Sequence, residues 1–215
     1  MSVPAEAPPL TSPRLWLGPL TAPVSLSAQE RDWGGALPEA RRQVYWASRS
    51  RLRSWLADLL GCAPLAVPLD SPPGRAPRLR DDAGWVSLSH SGDGLLLAYS
   101  RQPIGVDLEP LDRPLAVEGL MRRFFPPQEV AQLERLPAEE RRHAVLCSWV
   151  LKEAAIKWQG TGLATDLRHW RLDHGSGRLD HAGQALQPEC RTALTPPWRW
   201  AVVGAGAAQA WLEIA

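Results

Sequence analysis

The feature of this sequence that most constrains its fold is a long helical segment, 137–159, whose second half is apolar on nearly every side yet carries three charged side chains. The segment starts at a proline and is followed by Gly160, both of which are typical of helix ends. A helix that is apolar all round is buried against other elements. Glu153, Lys152 and Lys157 therefore need partners inside the protein, because an unpaired buried charge is strongly unfavourable.

Lysine is otherwise absent from the chain. Of 24 basic residues, only Lys152 and Lys157 are lysines, and the chain contains no asparagine. Residues with A/T-rich codons are scarce throughout, which indicates a GC-rich gene in which arginine replaces lysine wherever either residue serves. The two lysines are then either present by chance or mark a site where a guanidinium cannot replace a compact ammonium.

The order of elements predicts an α+β protein of two similar, pseudo-symmetric lobes, each with a small antiparallel-rich sheet packed on a long helix. We predict helices over 38–60, 127–133 and 137–159, and strands over 14–17, 22–26, 85–88, 95–99, 104–108, 167–172, 199–203 and 209–214. A Pro/Arg-rich loop is expected over 64–82, and 115–125 is ambiguous. The expected organisation is a poorly ordered N-terminus over 1–13, an N-terminal lobe over 14–103 and a C-terminal lobe over 104–215, with the active site between the lobes.

Composition excludes several classes of protein. A formal net charge of +1 argues against a protein that binds nucleic acid or a membrane surface through bulk charge. No segment approaches the roughly 20 apolar residues of a membrane helix, and the N-terminal segment lacks the apolar core of a signal peptide. Three widely spaced cysteines indicate a reducing compartment, and hence a cytoplasmic protein, without a zinc cluster. The 215 residues suffice for both lobes, so we expect a monomer.

Two carboxylates lie close together at the end of a predicted strand, in the run Gly-Val-Asp-Leu-Glu-Pro over 105–110. Side chains alternate along a strand, so Val106 and Leu108 face the core while Asp107 and Glu109 share the other face. Two neighbouring negative charges are unfavourable unless they are solvated, protonated or bridged by a cation. Both a solvated strand face and a metal site are compatible with this run.

A third carboxylate, Glu153, lies on the long helix one turn before Lys157. The ordinary alternative is a surface ion pair, worth only ~0.3–0.5 kcal/mol. On a largely buried helix, Glu153 could instead complete a three-carboxylate site with Asp107 and Glu109, suited to Mg²⁺ and its hard oxygen ligands. Lys157 would then be a point charge for a phosphate.

A histidine follows the strand that precedes these carboxylates, in the run Ser-Leu-Ser-His-Ser-Gly-Asp over 87–93. A serine–histidine pair of this kind is more often a turn than a catalytic dyad, and the Gly-x-Ser-x-Gly motif of many hydrolases is missing. His90 could instead hydrogen-bond a phosphate oxygen.

Basic residues gather in two further places. Gly74 and Arg75 begin a loop with Arg78 and Arg80, whose ordinary interpretation is a solvated linker. The first long helix carries an arginine stripe opposite its apolar side, formed by Arg41, Arg42, Arg49 and Arg53. Together the loop and the stripe are suited to a polyphosphate ligand, although neither a Walker A motif nor a Gly-x-Gly-x-x-Gly motif is present.

Five motifs in this order resemble a known family. They are Gly-Arg-Ala-Pro, Ser-Leu-Ser-His-Ser, Gly-Val-Asp-Leu-Glu, Arg-Arg-Phe-Phe-x-x-x-Glu, and Trp-x-x-Lys-Glu-Ala-x-x-Lys followed by Gly160 and Gly162. From about residue 41 to 172 the chain resembles the 4′-phosphopantetheinyl transferases of the surfactin type. The chain departs from the family in its loop, where Gly-Arg-Ala-Pro stands in place of the commoner Gly-Lys/Arg-Pro.

The resemblance implies a set of site residues. Asp107, Glu109 and Glu153 would bind Mg²⁺ on the pyrophosphate of coenzyme A, the substrate. The residues implied to contact coenzyme A are His90, Lys157 and Ser89 at the phosphates, and Gly74 and Arg75 at the adenine nucleotide. Arg49 matches a basic residue near the 3′-phosphate, and Arg53, Arg42 and Arg41 match the same group less closely. Glu129 matches a glutamate sometimes proposed as the general base.

The implied reaction moves 4′-phosphopantetheine from coenzyme A to a serine of an apo acyl, peptidyl or aryl carrier protein. Glu153, Lys157, Glu129 and His90 are the implied catalytic residues, and the serine proton could pass to Glu129, to Glu153 or to metal-bound water. Exposed arginines could dock an acidic carrier: Arg122, Arg123, Arg141 and Arg142.

Two other functions fit the sequence less well. One is a non-catalytic homologue that binds coenzyme A or a carrier protein, which would have no need of a cluster of like charges. The other is a metal-dependent nuclease, which usually has a lysine two residues after the second acid, where this chain has Leu111.

Overall fold

The structure, a computed structural model, describes residues 11–161 and 167–215, which contain five α-helices, three short 3-10 helices and eleven strands. The helices are α1 (Ala28–Gly35), α2 (Glu39–Leu60), α3 (Val117–Phe124), α4 (Pro127–Leu133) and α5 (Ala138–Gln159). The strands are β1 (Arg14–Pro19), β2 (Leu69–Asp70), β3 (Arg78–Leu79), β4 (Trp85–Ser91), β5 (Gly94–Ser100), β6 (Ile104–Pro110), β7 (Trp170–Asp173), β8 (Arg178–His181), β9 (Cys190–Thr195), β10 (Trp198–Gly204) and β11 (Trp211–Ile214). Most of the N-terminus for which poor order is expected, 1–10, and Gly162 of the last motif lie outside the described residues.

Two sheets form the centre of the protein, and each is covered by a long helix. The first sheet has the strand order β11-β1-β5-β4, and the second has the order β6-β10-β9. Helix α2 packs on the first sheet through Leu52 and Leu56, and α5 packs on the second through Val150 and Ala154. This arrangement confirms the predicted α+β class, in which a small antiparallel-rich sheet packs on a long helix.

The two sheets also pack on each other. Leu15, Leu17 and Leu96 of the first sheet share one buried cluster with Val106 and Val202 of the second. Strand β5 is consequently covered on both faces, and all seven of its residues are buried. This double coverage explains why the sequence of β5 is continuously apolar and does not alternate.

The last strand returns to the first sheet. Strand β11 pairs in parallel with β1, so that Arg14 lies opposite Trp211 and Leu17 opposite Ile214. The C-terminal segment therefore belongs to the sheet of the N-terminal half, while the boundaries of the two predicted lobes stay a prediction.

Helix ends follow the sequence signals closely. Helix α2 ends at Gly61 with φ +64°, and α5 ends at Gly160 with φ +73°, a backbone region that favours glycine. Pro38 and Pro137 precede the two helices as caps. Helix α4 occupies 127–133, as predicted, and the ambiguous segment 115–125 contains α3.

Several predicted elements are wrong. Residues 22–26 form no strand, because the backbone N–H groups of Val24 and Ser25 donate to the Ser50 hydroxyl at 2.8 and 2.9 Å and not to a neighbouring strand. Helix α1 was not predicted, although Ser27 and Glu30 form a capping box that its sequence spacing indicates. Strands β8 and β9 were not predicted either, and the predicted loop 64–82 contains the short strands β2 and β3. In the predicted strand 167–172, Leu167–His169 form a helical turn and the strand begins only at Trp170. His90 lies inside β4, not in a turn. None of the helices in the described part of the chain is both long and apolar enough to span a membrane.

Candidate active site

A cleft of about 970 Å³ opens where α2, β4, α5 and the loop between β2 and β3 approach one another. Seven of the predicted site residues line it: Arg49, Gly74, Arg75, Ser89, His90, Glu153 and Lys157. Asp107 adjoins the cleft through hydrogen bonds to Ser89 and Lys157. Residues from four separate segments of the chain thus meet at one place.

The close approach of α5 to β6 depends on a glycine. A Cβ atom added at Gly105 would collide with the Ala154 carbonyl oxygen and the Trp158 backbone nitrogen, both of which are main-chain atoms of α5. Because neither atom can move without the helix, only glycine permits this contact. The contact brings the turn of α5 that carries Glu153 and Lys157 against Asp107.

Lys157 finds its partners on β6. Its Nζ donates to Asp107 Oδ1 at 2.7 Å and to the Val106 carbonyl at 3.0 Å. Lys157 is therefore held mainly by β6 and not by Glu153, which lies four residues earlier on the same helix. A lysine that is held by a carboxylate beside a cleft can stabilise negative charge on a ligand at that point.

Glu153 experiences unfavourable electrostatics in the absence of a cation. Burial raises the pKa of Glu153, the charge of Asp107 raises it further, and Lys157 and Arg113 oppose these effects. Within the described residues, Asp107 Oδ2 is buried and accepts no hydrogen bond. A raised pKa and an unpartnered buried oxygen are what two neighbouring carboxylates show when no bridging cation is present.

The carboxylate of Glu109 is held from both sides. Ser91 Oγ donates to Oε2 at 3.0 Å, and Arg113 forms an ion pair with Oε1. The Arg113 guanidinium lies over the Trp149 ring, 5.5 Å from its centroid. The sequence did not predict that Arg113, Ser91 and Trp149 support Glu109. Its one indication is that Arg113 follows the candidate metal ligand Glu109 by four residues.

No three carboxylate, histidine or cysteine side chains converge into a ready metal site within residues 11–161 and 167–215. The donors present are nevertheless of the type that Mg²⁺ prefers, since they are carboxylate oxygens, and Asp107 Oδ2 has no partner in the described part of the chain. The residues therefore fit the ion chemically, whereas Lys157 and Arg113 now neutralise two of the three carboxylates.

Arg49 gives the cleft a basic side, and His90 adds a neutral imidazole there. Burial lowers the pKa of His90, and the nearby charges of Arg49 and Lys157 lower it further, so the imidazole is neutral at neutral pH. Arg49 is buried, with its guanidinium 4.9 Å from the centroid of the Tyr45 ring. Its Nη1 donates to Ser48 Oγ at 3.2 Å. A buried, fixed arginine is suited to binding a phosphate.

The rest of the predicted arginine stripe lies elsewhere. Arg53 is buried against Glu30, with Nη2 2.8 Å from Oε1, and it also donates to three main-chain carbonyls. Arg42 pairs with Glu39 at 3.1 Å. Neither arginine is among the described residues that line the cleft. The helical pattern could not reveal this difference, because the partners come from α1 and from the loop after α2.

Glu129 and Lys152 form a fully buried ion pair. Both side chains are 0% exposed, and Lys152 Nζ lies 2.8 Å from Glu129 Oε2. The Leu172 backbone N–H donates to the same oxygen at 3.1 Å, and Lys152 Nζ lies 4.0 Å from the centroid of the Phe125 ring. Neither Glu129 nor Lys152 is among the described residues that line the cleft. The structure thus separates Glu129, a predicted catalytic residue, from the group around Glu153.

Comparisons with known proteins agree with this arrangement. A family model described as the 4′-phosphopantetheinyl transferase superfamily matches residues 103–203, which include β6, α5 and β10. The 4′-phosphopantetheinyl transferase HetI of Nostoc sp. (strain PCC 7120) is 38% identical over 162 residues, which cover 73% of this chain and 68% of HetI. The protein slr0495 of Synechocystis sp. (strain PCC 6803), provisionally named a 4′-phosphopantetheinyl transferase, is 34% identical over 170 residues, 74% of this chain and 69% of that protein.

A third relative covers less of the chain. The 4′-phosphopantetheinyl transferase Sfp of Bacillus subtilis is 35% identical over 98 residues, which are 46% of this chain and 41% of Sfp. The predicted resemblance to the surfactin type is confirmed. With two relatives above 30% identity that the chain covers over more than two thirds of their length, the protein belongs to the 4′-phosphopantetheinyl transferase superfamily.

Proposed function

We propose that this protein transfers the 4′-phosphopantetheine group of coenzyme A to a serine hydroxyl of an apo carrier protein. The observation that carries the proposal is the meeting of Asp107, Glu153 and Lys157 at a cleft that His90 and Arg49 also line or adjoin. The transferases HetI and Sfp support the same activity by their similarity.

The cleft suits an anionic, nucleotide-containing substrate. Its volume of about 970 Å³ lies at the upper end of the range for small-molecule sites. Arg49 of α2 and Arg75 of the loop between β2 and β3 supply positive charge to the cleft, and so does Lys157 of α5. We assign the 3′-phosphate and adenine nucleotide of coenzyme A to Arg49 and Arg75 and its pyrophosphate to Lys157.

Asp107, Glu109 and Glu153 would hold a magnesium ion beside that pyrophosphate. When bound, the ion would neutralise the pyrophosphate and stabilise the leaving group. The unpartnered Oδ2 of Asp107 and the raised pKa of Glu153 support this assignment.

The side chains of the cleft supply the remaining chemistry. Lys157 and His90 stabilise charge on the phosphoryl oxygens, since positioning and electrostatics dominate phosphoryl transfer. Glu153 is the better candidate to accept the serine proton, because it lines the cleft, whereas Glu129 is fully buried in its pair with Lys152. The acceptor serine attacks the β-phosphorus, the phosphoester bond to the carrier forms, and adenosine 3′,5′-bisphosphate leaves.

Helix α3 offers two exposed arginines to an acidic carrier. Arg122 and Arg123 are exposed on α3. Arg142 donates to the carbonyls of Leu111 and Arg113, and Arg141 donates to the carbonyl of Leu136. We therefore assign carrier docking to Arg122 and Arg123 and a structural role to Arg141 and Arg142.

Mass spectrometry of a panel of apo carrier proteins tests the proposal. Incubation with coenzyme A, Mg²⁺ and this protein should add the phosphopantetheine mass to at least one carrier. Asp107→Asn should nearly abolish the gain, while Asp58→Asn, which changes an exposed carboxylate on α2, should not. Binding of coenzyme A by calorimetry with no mass gain on any carrier would refute catalysis and identify a non-catalytic homologue.

A further inference from the structure

Two strands lie side by side at the junction of the sheets without sharing a backbone ladder. Strand β4 is the edge of the first sheet and β6 is the edge of the second, and in the described residues no main-chain pairing joins them. Edge strands leave N–H and C=O groups that need other partners. Here Ser87 of β4 supplies one such partner to a backbone N–H of β6, and two further serines of β4 bind side chains of β6.

Three alternate serines of β4 reach β6 in succession. Ser87 Oγ accepts a hydrogen bond from the Val106 backbone N–H at 3.1 Å. Ser89 Oγ donates to Asp107 Oδ1 at 2.7 Å, and Ser91 Oγ donates to Glu109 Oε2 at 3.0 Å. Alternate residues of a strand share one face, so the Ser-x-Ser-x-Ser pattern aligns all three hydroxyls with β6. Two of the three hydroxyls bind the candidate metal ligands.

The hydrogen bonds determine which carboxylate oxygen stays available. Asp107 Oδ1 accepts from both Ser89 and Lys157, each at 2.7 Å, whereas Oδ2 has no partner in the described part of the chain. Because rotation of a carboxylate about its last bond is soft, these two donors select the orientation. They direct Oδ2 away from protein donors and leave it free for a cation.

The same arrangement controls Glu109. Ser91 holds Oε2 and Arg113 holds Oε1. The Arg113 side chain is partly exposed, so Ser91 is the partner that lies within the sheet junction. Ser91 would keep the Glu109 carboxylate in place if a cation took the position of Arg113.

We infer that Ser89 and Ser91 are positioning residues that orient Asp107 and Glu109 toward the cation that binds beside the pyrophosphate. This inference rests on the proposed function. It also changes the role of Ser89: a hydroxyl has a single hydrogen, and here that hydrogen goes to Asp107, so Ser89 does not donate to a phosphate of coenzyme A. Ser87 joins the same two strands, but its hydrogen bond is with the Val106 backbone N–H and not with a carboxylate, so Ser87 is the matched control.

Binding of Mn²⁺, measured by electron paramagnetic resonance on the full chain with coenzyme A present, tests the inference. Ser91→Ala and Ser89→Ala should each weaken Mn²⁺ binding about 10-fold to 100-fold, the usual effect of removing a hydrogen-bond partner of a metal ligand. Ser91→Thr keeps the hydroxyl in a strand position that tolerates β-branching, so it should restore the affinity. Ser87→Ala should lower the melting temperature without changing the affinity of the folded protein for Mn²⁺.

Transfer kinetics provide a second readout. In both alanine variants the Mg²⁺ concentration that gives half-maximal transfer should rise by a similar factor, and saturating Mg²⁺ should restore much of kcat. Unchanged Mn²⁺ affinity in Ser89→Ala and Ser91→Ala, or an equal loss in Ser87→Ala, would overturn the inference, as would a wild type that binds no Mn²⁺. A wild type that binds Mn²⁺ as expected but modifies no carrier would refute the proposed function and leave the serine assignment intact.

Discussion

The buried pair of Glu129 and Lys152 allows a sharp test of the structure. We predict that Lys152→Met strongly destabilises the fold, because it leaves Glu129 charged and 0% exposed. The remaining neighbours of that carboxylate are the Leu172 N–H at 3.1 Å and His174 at 3.9 Å. Burial lowers the pKa of His174, so this imidazole is neutral at pH 7 and does not replace the lysine charge.

The magnitude follows from burial. Removing one partner of a buried ion pair costs about 3–5 kcal/mol. For a chain of this size, each kcal/mol lowers the melting temperature by about 2–4 °C, which gives a decrease of roughly 6–20 °C. Lys152→Met combined with Glu129→Gln should recover most of that loss, because the amide oxygen still accepts from Leu172 and no charge stays buried.

The assay is a double-mutant cycle by urea unfolding, with a partly exposed pair as control. Arg171 and Asp180 are 3.0 Å apart with side chains 34% and 23% exposed, so Arg171→Met should cost no more than about 1 kcal/mol. Burial lowers the pKa of Lys152 to about 8, below its ordinary 10.5. Between these values the unfolded chain binds a proton that the folded protein releases, so the wild type should gain stability relative to Lys152→Met as pH rises.

The same variants decide the role of Glu129 in catalysis. Glu129→Gln should keep the kcat of transfer and its pH profile at a temperature where the variant is folded, because Glu129 is not among the described residues that line the cleft. A destabilisation by Lys152→Met below about 1 kcal/mol would refute the buried-pair argument. A loss of kcat by orders of magnitude in folded Glu129→Gln would restore Glu129 as the general base.

Three further predictions concern the contact of α5 with β6. Lys157→Arg should lower kcat/KM at least about 10-fold, which corresponds to ~1.4 kcal/mol of activation free energy. A planar guanidinium cannot bridge Asp107 and the Val106 carbonyl as the ammonium does. A variant with the kinetics of the wild type would show that lysine is dispensable at this position. Gly105→Ala should destabilise the protein by about 3 kcal/mol or more, because the added methyl group collides with the backbone of α5. Gly119→Ala in α3 is the control and should not destabilise it, because its methyl group would lie 3.6 Å from the nearest atom. Equal melting temperatures for the two variants would contradict the packing. Burial and Asp107 raise the pKa of Glu153, so the folded protein binds the carboxyl proton more tightly than the unfolded chain does. The wild type should therefore lose stability relative to Glu153→Gln as pH rises from about 4.5 through the raised pKa. Urea unfolding without added metal measures this change, and a stability difference that does not depend on pH would refute it.

Much of the local structure follows from the sequence alone. The long helices are bounded by Pro38 and Gly61 and by Pro137 and Gly160, because these residues act within one turn of the chain. Continuous apolar residues identify β5, and alternation identifies the shared face of Asp107 and Glu109. Elements without such signals were missed, and the short strands β8 and β9 are examples.

The partners of the charged side chains depend on tertiary structure. The sequence by itself determined that Lys152, Glu153 and Lys157 lie on a largely buried helix and must be paired, since a period of 3.6 residues and the cost of burying charge require it. Only the packing of α5 on β6, made possible by Gly105, decided that Lys157 binds Asp107, 50 residues earlier in the chain. In the same way Lys152 turns to Glu129, away from the cleft. These pairings join segments that are distant in sequence. Which carboxylate each lysine binds depends on how one element is rotated against another, and no local sequence pattern encodes that rotation.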